Sequence, residues 1–195
     1  GAVPVSFSDS TGAIYDPDGI DEGKLRFVMD LKNVRRGRIR EYAEKYPSSE
    51  YHDAISPWRV PAEAAFPSAT QNELDLEDAK ALVSSGCKIV TEGANMPTTP
   101  EAIDYLKEQK ILFGPGKAAN AGGVAVSGLE MSQNAMRLAW SAEEVDAKLQ
   151  GIMKNIYAHV AEAMEQYELG HDYSAGANIA GFVKVAEAML DQGLV

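Results

Sequence analysis

Small residues and isolated polar side chains share the run Pro115-Gly116-Lys117-Ala118-Ala119-Asn120-Ala121-Gly122-Gly123-Val124-Ala125-Val126-Ser127-Gly128-Leu129-Glu130. Glycine and alanine leave the main chain uncovered, so a ligand can approach it closely. Lys117, Asn120 and Ser127 set an ammonium, an amide and a hydroxyl among them. That set suits a carboxylate or an amide ligand. The same composition also suits a tight strand-to-helix turn packed under a neighbouring element, and the residues alone leave both readings open.

Further polar groups stand where open α/β sheets bind ligands, beyond the carboxyl ends of parallel strands. Gln71 and Asn72 follow the apolar Ala64-Ala65-Phe66, and Asn95 follows Lys88-Ile89-Val90-Thr91. Amides there can hold a carboxamide or a ribose, although Thr70 and Asn72 serve equally well as turn caps. Asp9, after Val3-Pro4-Val5-Ser6-Phe7, sits where the acid of a second Rossmann strand would bond adenosine ribose hydroxyls and favour NAD; otherwise it is a turn aspartate. Lys32, Arg35 and Arg38 could offset the charge of a 2′-phosphate, as in NADP, or form a solvated helix face. Gly114-Pro115-Gly116-Lys117-Ala118-Ala119 has the letters of a G-x-G-x-x-A dinucleotide turn. It lacks the acid expected at the end of the next strand, because a helix follows. Lys117 has no Ser or Thr after it, so there is no P-loop.

Composition narrows the partners. The chain has 195 residues, 45% of them apolar, enough for one sizeable globular domain. Its 18 basic and 29 acidic residues give a net charge of −11. That balance argues against a broad nucleic-acid surface and against charge-driven binding to an anionic membrane. No apolar run approaches the roughly 20 residues that span a bilayer. Cys87 is the single cysteine, so no internal disulfide is expected, which fits a reducing cytoplasm. It reads as a small buried hydrophobe or, failing that, a reactive thiol. His52, His159 and His171 are scattered without metal-ligand spacing, and no metal site is expected.

The elements that must hold these residues alternate. A strand over Val3–Phe7 leads to a turn at Asp16-Pro17-Asp18-Gly19 and a helix capped by Asp21 that reaches about Val34. Arg35 to Tyr46 reads as a second, more charged helix. Strands over Ala64–Phe66, Lys88–Thr91 and Ile111–Phe113 are separated by a helix over Leu76–Ser84, ended by Gly86, and by a helix opened by Thr98 or Thr99 with Pro100 in its first turn. This order predicts a parallel α/β sheet. Leu129 to Trp140 is helical, Ser141-Ala142-Glu143-Glu144 is a capping box, and apolar spacing from Val145 to Val160 predicts a long helix behind it. Tyr167 to Ala175 is a polar loop before a last amphipathic helix. The methionine-bearing stripes of these helices are either ordinary core or a partner surface. The chain shows no internal repeat and no domain boundary.

The Pro115–Glu130 run resembles the substrate-side signature of the hexameric glutamate dehydrogenases. Ala69-Thr70-Gln71-Asn72-Glu73-Leu74-Asp75, Glu92-Gly93-Ala94-Asn95-Met96-Pro97-Thr98-Thr99 and Gly176-Ala177-Asn178-Ile179-Ala180-Gly181-Phe182-Val183-Lys184-Val185-Ala186 resemble the same family in the same order. The resemblance covers the whole chain. It implies an incomplete Rossmann-like parallel sheet with flanking helices, about residues 1–125, and a helical carboxy-terminal tail, about 126–195. The family's glycine-rich fingerprint, catalytic lysine and amino-terminal domain would lie upstream of Gly1. No catalytic residue is therefore expected here, and the chain alone is expected to be inactive. By resemblance, Ala69, Gln71 and Asn95 line the nicotinamide and its ribose. Asn120, Val124 and Ser127 face the substrate, Ser127 its side-chain carboxylate and Val124 its aliphatic part. Asp9, Lys32 and Arg35 fall at the adenosine end. The implied activity is reversible oxidative deamination of L-glutamate to 2-oxoglutarate and ammonia with NADP, or else NAD, in a cytoplasmic homo-oligomer, a hexamer. The alternatives are a related NAD-dependent dehydrogenase of apolar amino acids and a non-catalytic binding module.

Overall fold

A computed structural model describes residues 1–54 and 56–193. The chain divides into two compact units, one of Gly1–Glu63 with Glu77–Cys87 and one of Ala64–Leu76 with Lys88–Val195.

The first unit is built on an antiparallel sheet in the order β1-β2-β3, with β1 Ser6–Asp9, β2 Gly12–Tyr15 and β3 Glu50–Asp53. The strand expected over Val3–Phe7 thus begins later and turns back at once. Asp9 makes the reversal by accepting from the Thr11 amide and hydroxyl at 2.9 and 2.6 Å. Gly12 is required beside β3, because a Cβ there would collide with the His52 carbonyl and the Tyr51 hydroxyl. Helix α1, Glu22–Met29, is capped by Asp21, whose carboxylate accepts from the Lys24 amide at 2.8 Å. The helix expected to run on to Val34 instead widens into a π turn over Asp30–Val34. Arg36 then takes a left-handed φ of 56°, and Gly37 donates back to the Leu31 carbonyl at 2.9 Å. This reversal sends Ile39 into the core and shortens the expected second helix to α2, Arg40–Lys45. Ile14, Ile20, Val28, Ile39 and Tyr42 form that core, with Phe7, Phe27, Tyr46 and Tyr51 packed against it. Asp16 lies inside this unit, fully buried, bonded by the Tyr42 hydroxyl and by the Lys24 ammonium at 2.8 Å.

The second unit holds the parallel sheet β4-β5-β6, with β4 Ala64–Ala65, β5 Ile89–Thr91 and β6 Leu112–Gly114. Ala65 pairs with Val90 and Val90 with Phe113, as the strand–helix alternation predicts. Along the chain, α3, Leu76–Ser84, links β4 to β5, and α4, Pro100–Glu108, links β5 to β6. Gly86 ends α3 with a φ of 91°, and the Cys87 amide donates to the Leu82 carbonyl at 3.0 Å. Thr99 caps α4 by accepting from the Ala102 amide, with Pro100 opening the helix.

After β6 the chain is helical: α5 Gly116–Ala119, α6 Ala121–Met136, α7 Ala142–Gln166 and α8 Tyr173–Gln192. Helix α6 starts well before the expected Leu129. Gly122 explains why small residues suit a helix here: a Cβ on it would already touch Leu149 and Met153 of α7 at 3.3 and 3.6 Å. The capping box forms as read, with the Glu144 amide donating to Ser141 Oγ at 3.2 Å and the Ser141 amide to the Glu144 carboxylate at 2.8 Å. Val160, Ala163 and Met164 of α7 are buried, and Gly176 of α8 packs on Val160 and Met164. By contrast Met131, Met136, Phe182, Met189 and Leu190 are exposed, so the stripes on α6 and α8 are not core among the described residues.

Candidate functional site

Main-chain hydrogen bonds tie together the loops that leave β4 and β5. Beyond β4, the Pro67 carbonyl accepts from the Gly93 and Ala94 amides at 2.8 and 3.1 Å. The Asn72 and Leu74 amides donate to the Met96 and Pro97 carbonyls, both at 2.9 Å, and Leu74 and Thr98 form an isolated parallel bridge. These loops therefore continue the sheet's pairing past its strands. They present Ala69, Gln71 and Asn95 at the carboxyl edge, all exposed. Ala69 is fixed through its amide, which donates to the Glu73 carboxylate at 2.7 Å.

The structure brings Asn95 and Asn120 together. Asn120, at the start of α6, donates its amide nitrogen to the Ala94 carbonyl at 2.9 Å and to Asn95 Oδ1 at 2.7 Å. An amide nitrogen has two hydrogens, and both are now used. A donor, Asn95 Nδ2, and an acceptor, Asn120 Oδ1, are left without a hydrogen bond among the described residues. Val124 and Ser127 follow at helical spacings, so Asn120, Val124 and Ser127 form one stripe along α6. Val124 is 74% exposed and Ser127 is exposed as well. The edge thus offers a donor, an acceptor, a short apolar surface and a hydroxyl, in that order. Lys117 points elsewhere, donating to Asn178 Oδ1 of α8 at 2.6 Å.

Glu92 is the residue whose part the sequence reading missed. It is 5% exposed, and its carboxylate accepts from the Gly116 amide at 2.6 Å and the Thr98 amide at 3.3 Å. The amide that a G-x-G-x-x-A turn would offer to a phosphate is therefore taken by the chain's own acid, which supports the rejection of that motif. A glutamate directly after an apolar strand is the available signal, but its partners lie 6 and 24 residues away.

In the first unit, Asp9, Lys32, Ser10 and Arg38 gather. Lys32 Nζ donates to Asp9 Oδ2 at 2.7 Å and to the Gly37 carbonyl at 3.0 Å, the Ile39 amide donates to Asp9 Oδ2 at 2.9 Å, and Arg38 reaches Ser10 Oγ at 3.0 Å. Burial by itself would raise the Asp9 carboxyl, but Lys32, Thr11 and the Ile39 amide outweigh it and hold it far below the usual carboxylate range. With the Thr11 donors its oxygens are filled. Asp9 acts here as a clasp on the Lys32–Ile39 turn, with its charge matched by Lys32. Arg35 is turned away, bonded to Asp30 at 2.8 Å and to Glu41 at 3.4 Å and stacked on Phe27 at 4.9 Å. Arg38, not Arg35, bonds a member of this cluster, through Ser10.

A half-open apolar cavity of about 310 Å³, lined by Ile89, Leu112, Met153, Ile156 and Val160, lies where the β5–β6 face meets α7 and contains none of the candidate polar residues. No group of His, Cys, Asp and Glu among the described residues could hold a metal ion.

A family model described as glutamate/leucine/phenylalanine/valine dehydrogenase matches residues 1–193. A glutamate dehydrogenase of Bacteroides thetaiotaomicron is 58% identical over 199 residues, and an NADP-specific glutamate dehydrogenase of Haemophilus influenzae is 53% identical over 196. Each match covers 100% of this chain but only 44% and 43% of those proteins, so the chain spans less than half of their length. The solved glutamate dehydrogenase of Plasmodium falciparum is similar with a TM-score of 0.92 at 48% identity, over 99% of this chain and 42% of that one.

Proposed function

The chain belongs to the glutamate/leucine/phenylalanine/valine dehydrogenase family, and on that premise we propose that it is the nicotinamide- and substrate-facing part of a glutamate dehydrogenase. The observation that carries the proposal is the Asn95–Asn120 pair aligned with Val124 and Ser127. The reaction is the reversible oxidative deamination of L-glutamate to 2-oxoglutarate and ammonia. Bound NADP supplies a hydride acceptor at its nicotinamide. Asn95 Nδ2 is a donor suited to the carboxamide, with Ala69 and Gln71 lining the ring and its ribose. The Asn120 Oδ1 acceptor suits the substrate amine, Val124 packs on its methylenes, and Ser127 donates to its side-chain carboxylate. The proton-transfer groups are assigned to the part of the enzyme that this chain does not span.

NADP is proposed over NAD because Lys32 cancels the charge of Asp9, the group that would repel a 2′-phosphate, and Arg38 and Ser10 stand beside it. The NADP-specific relative from Haemophilus influenzae points the same way. The reading extends to a homo-hexamer acting in the cytoplasm, a compartment that suits Cys87, which is in no disulfide. No described helix is long and apolar enough to cross a membrane.

The test is Ser127→Val in the full-length enzyme, assayed with glutamate and with norvaline. Loss of a hydrogen bond to a charged group costs about 1.5–3 kcal/mol, or about 10- to 150-fold in kcat/KM for glutamate. Norvaline is expected to lose little or to gain, since the new methyl groups favour it. Equal losses on both substrates would reject the assignment of Ser127 and, with it, the glutamate specificity.

A further inference from the structure

We infer that Glu92 is a positioning residue that sets the spacing of the amide pair by clamping the loop after β5 to the turn after β6. The inference rests on the proposed reading of Asn95 and Asn120 as ligand-facing groups.

Glu92 immediately follows β5 and is almost wholly buried, yet its carboxylate bonds no cation among the described residues. Its partners are main-chain amides on both sides of the site. Thr98 ends the loop that carries Asn95, and Gly116 opens the turn that carries Asn120. A carboxylate is acceptor-only, so it can bond an N–H with each oxygen at once. A glutamine would aim a donor at one of those N–H groups. The fit is also close. A Cβ on Gly116 would stand 3.1 Å from Glu92 Oε2 and 3.0 Å from the Ala94 carbonyl, the carbonyl to which Asn120 donates. The Glu92 clasp and the Asn120 bonds thus join the same pair of segments through separate contacts. A donor and an acceptor must meet their ligand within a fraction of an ångström, and a 1 Å misplacement in a reacting complex can cost about 100-fold.

The test uses Glu92→Gln in the full-length enzyme, with Gly116→Ala as a second variant that pushes on the same clasp from the other side. For either variant, kcat for glutamate is expected to fall about 10- to 100-fold. KM for NADP should change by a smaller factor than kcat, because the adenosine end is read by other residues. The kinetic isotope effect with α-deuterated glutamate is expected to rise, since hydride transfer becomes slower than product release. Hydrogen exchange over residues 111–120 is expected to quicken about 10-fold or more, independent of any turnover. A fall in kcat with an unchanged isotope effect, tracking a loss of folded protein, would make Glu92 merely structural and overturn the inference. Unchanged exchange over residues 111–120 in both variants would overturn it as well. If the wild-type protein fails to oxidise glutamate, the functional reading falls, while the exchange measurement still decides whether Glu92 holds the loops.

Discussion

Asp16, Tyr42 and Lys24 show how one buried acid is made tolerable. Burial by itself would raise the Asp16 carboxyl, but the Lys24 ammonium and the Tyr42 hydroxyl outweigh it and hold it below the ordinary range. Burial, and then the Asp16 acceptor, push the Tyr42 phenol well above its own usual value. A carboxyl that titrates lower when folded binds fewer protons in the native state. Its stabilisation is therefore present above about pH 4, the unfolded value, and is lost as pH falls through the folded one. Asp16→Asn removes the charge from the hydrogen bond to a part-buried Lys24 and is expected to cost about 2 kcal/mol at pH 7. It should also flatten the acid side of the stability curve. Urea melts of both proteins between pH 7 and pH 3 check this, and an equally steep acid decline in the variant would reject it. None of this network was legible in the sequence. Asp16 reads as one letter of a turn, and its partners stand 8 and 26 residues away. Ser127 and Asn120 stand out in the sequence because their neighbours are small, and the ligand-facing roles read for them remain proposals. Glu92 was not, because a single glutamate after a strand looks like any solvent-facing residue.

Elements were legible in proportion to how local their determinants are. Thr99 with Pro100, and Ser141 with Glu144, carry their caps within one helical turn; the capping box formed as read, and of the two threonines read as the cap it is Thr99 that serves. The polar run of β3, Glu50-Tyr51-His52-Asp53, has no alternating pattern; its pairing is decided by β2, far back in the chain. The early start of α6 was hidden because glycine lowers local helix propensity, while the compensating contact comes from α7. Gly176 poses the same contest between propensity and packing. Alanine at that site gains about 1 kcal/mol in helix propensity. Its Cβ, however, would stand 2.6 Å from Met164 Cγ and 3.1 Å from the Val160 carbonyl. Met164 can yield, but the main-chain carbonyl moves only with its helix. Overpacking of this kind costs about 1–3 kcal/mol, so packing wins and Gly176→Ala is expected to destabilise by about 1 kcal/mol net. Calorimetry of the variant decides the sign; a raised Tm would show that α7 and α8 adjust freely.

At the scale of the whole molecule, the division into two units escaped the sequence because no single linker marks it. The chain passes from one unit to the other near Glu63, Leu76 and Cys87, and none of these places is rich in glycine, proline or serine over a long stretch. The parallel sheet itself was legible, since its alternation of strand and helix is written in order. The chain spans less than half the length of its curated relatives, and the residues proposed here include no proton-transfer group. Purified 195-residue chain is therefore expected to show no glutamate-dependent reduction of NADP or NAD. Turnover by that chain, free of host enzyme, would refute the division of labour proposed here. Cys87, finally, gives the molecule a clock of its own. Its thiol is the only one in the chain and is 3% exposed. A bulky alkylating reagent can reach it only while its surroundings are open, so each labelled molecule records one opening. The labelling rate, set against that of a fully accessible thiol, converts into the free energy of that opening without any introduced probe.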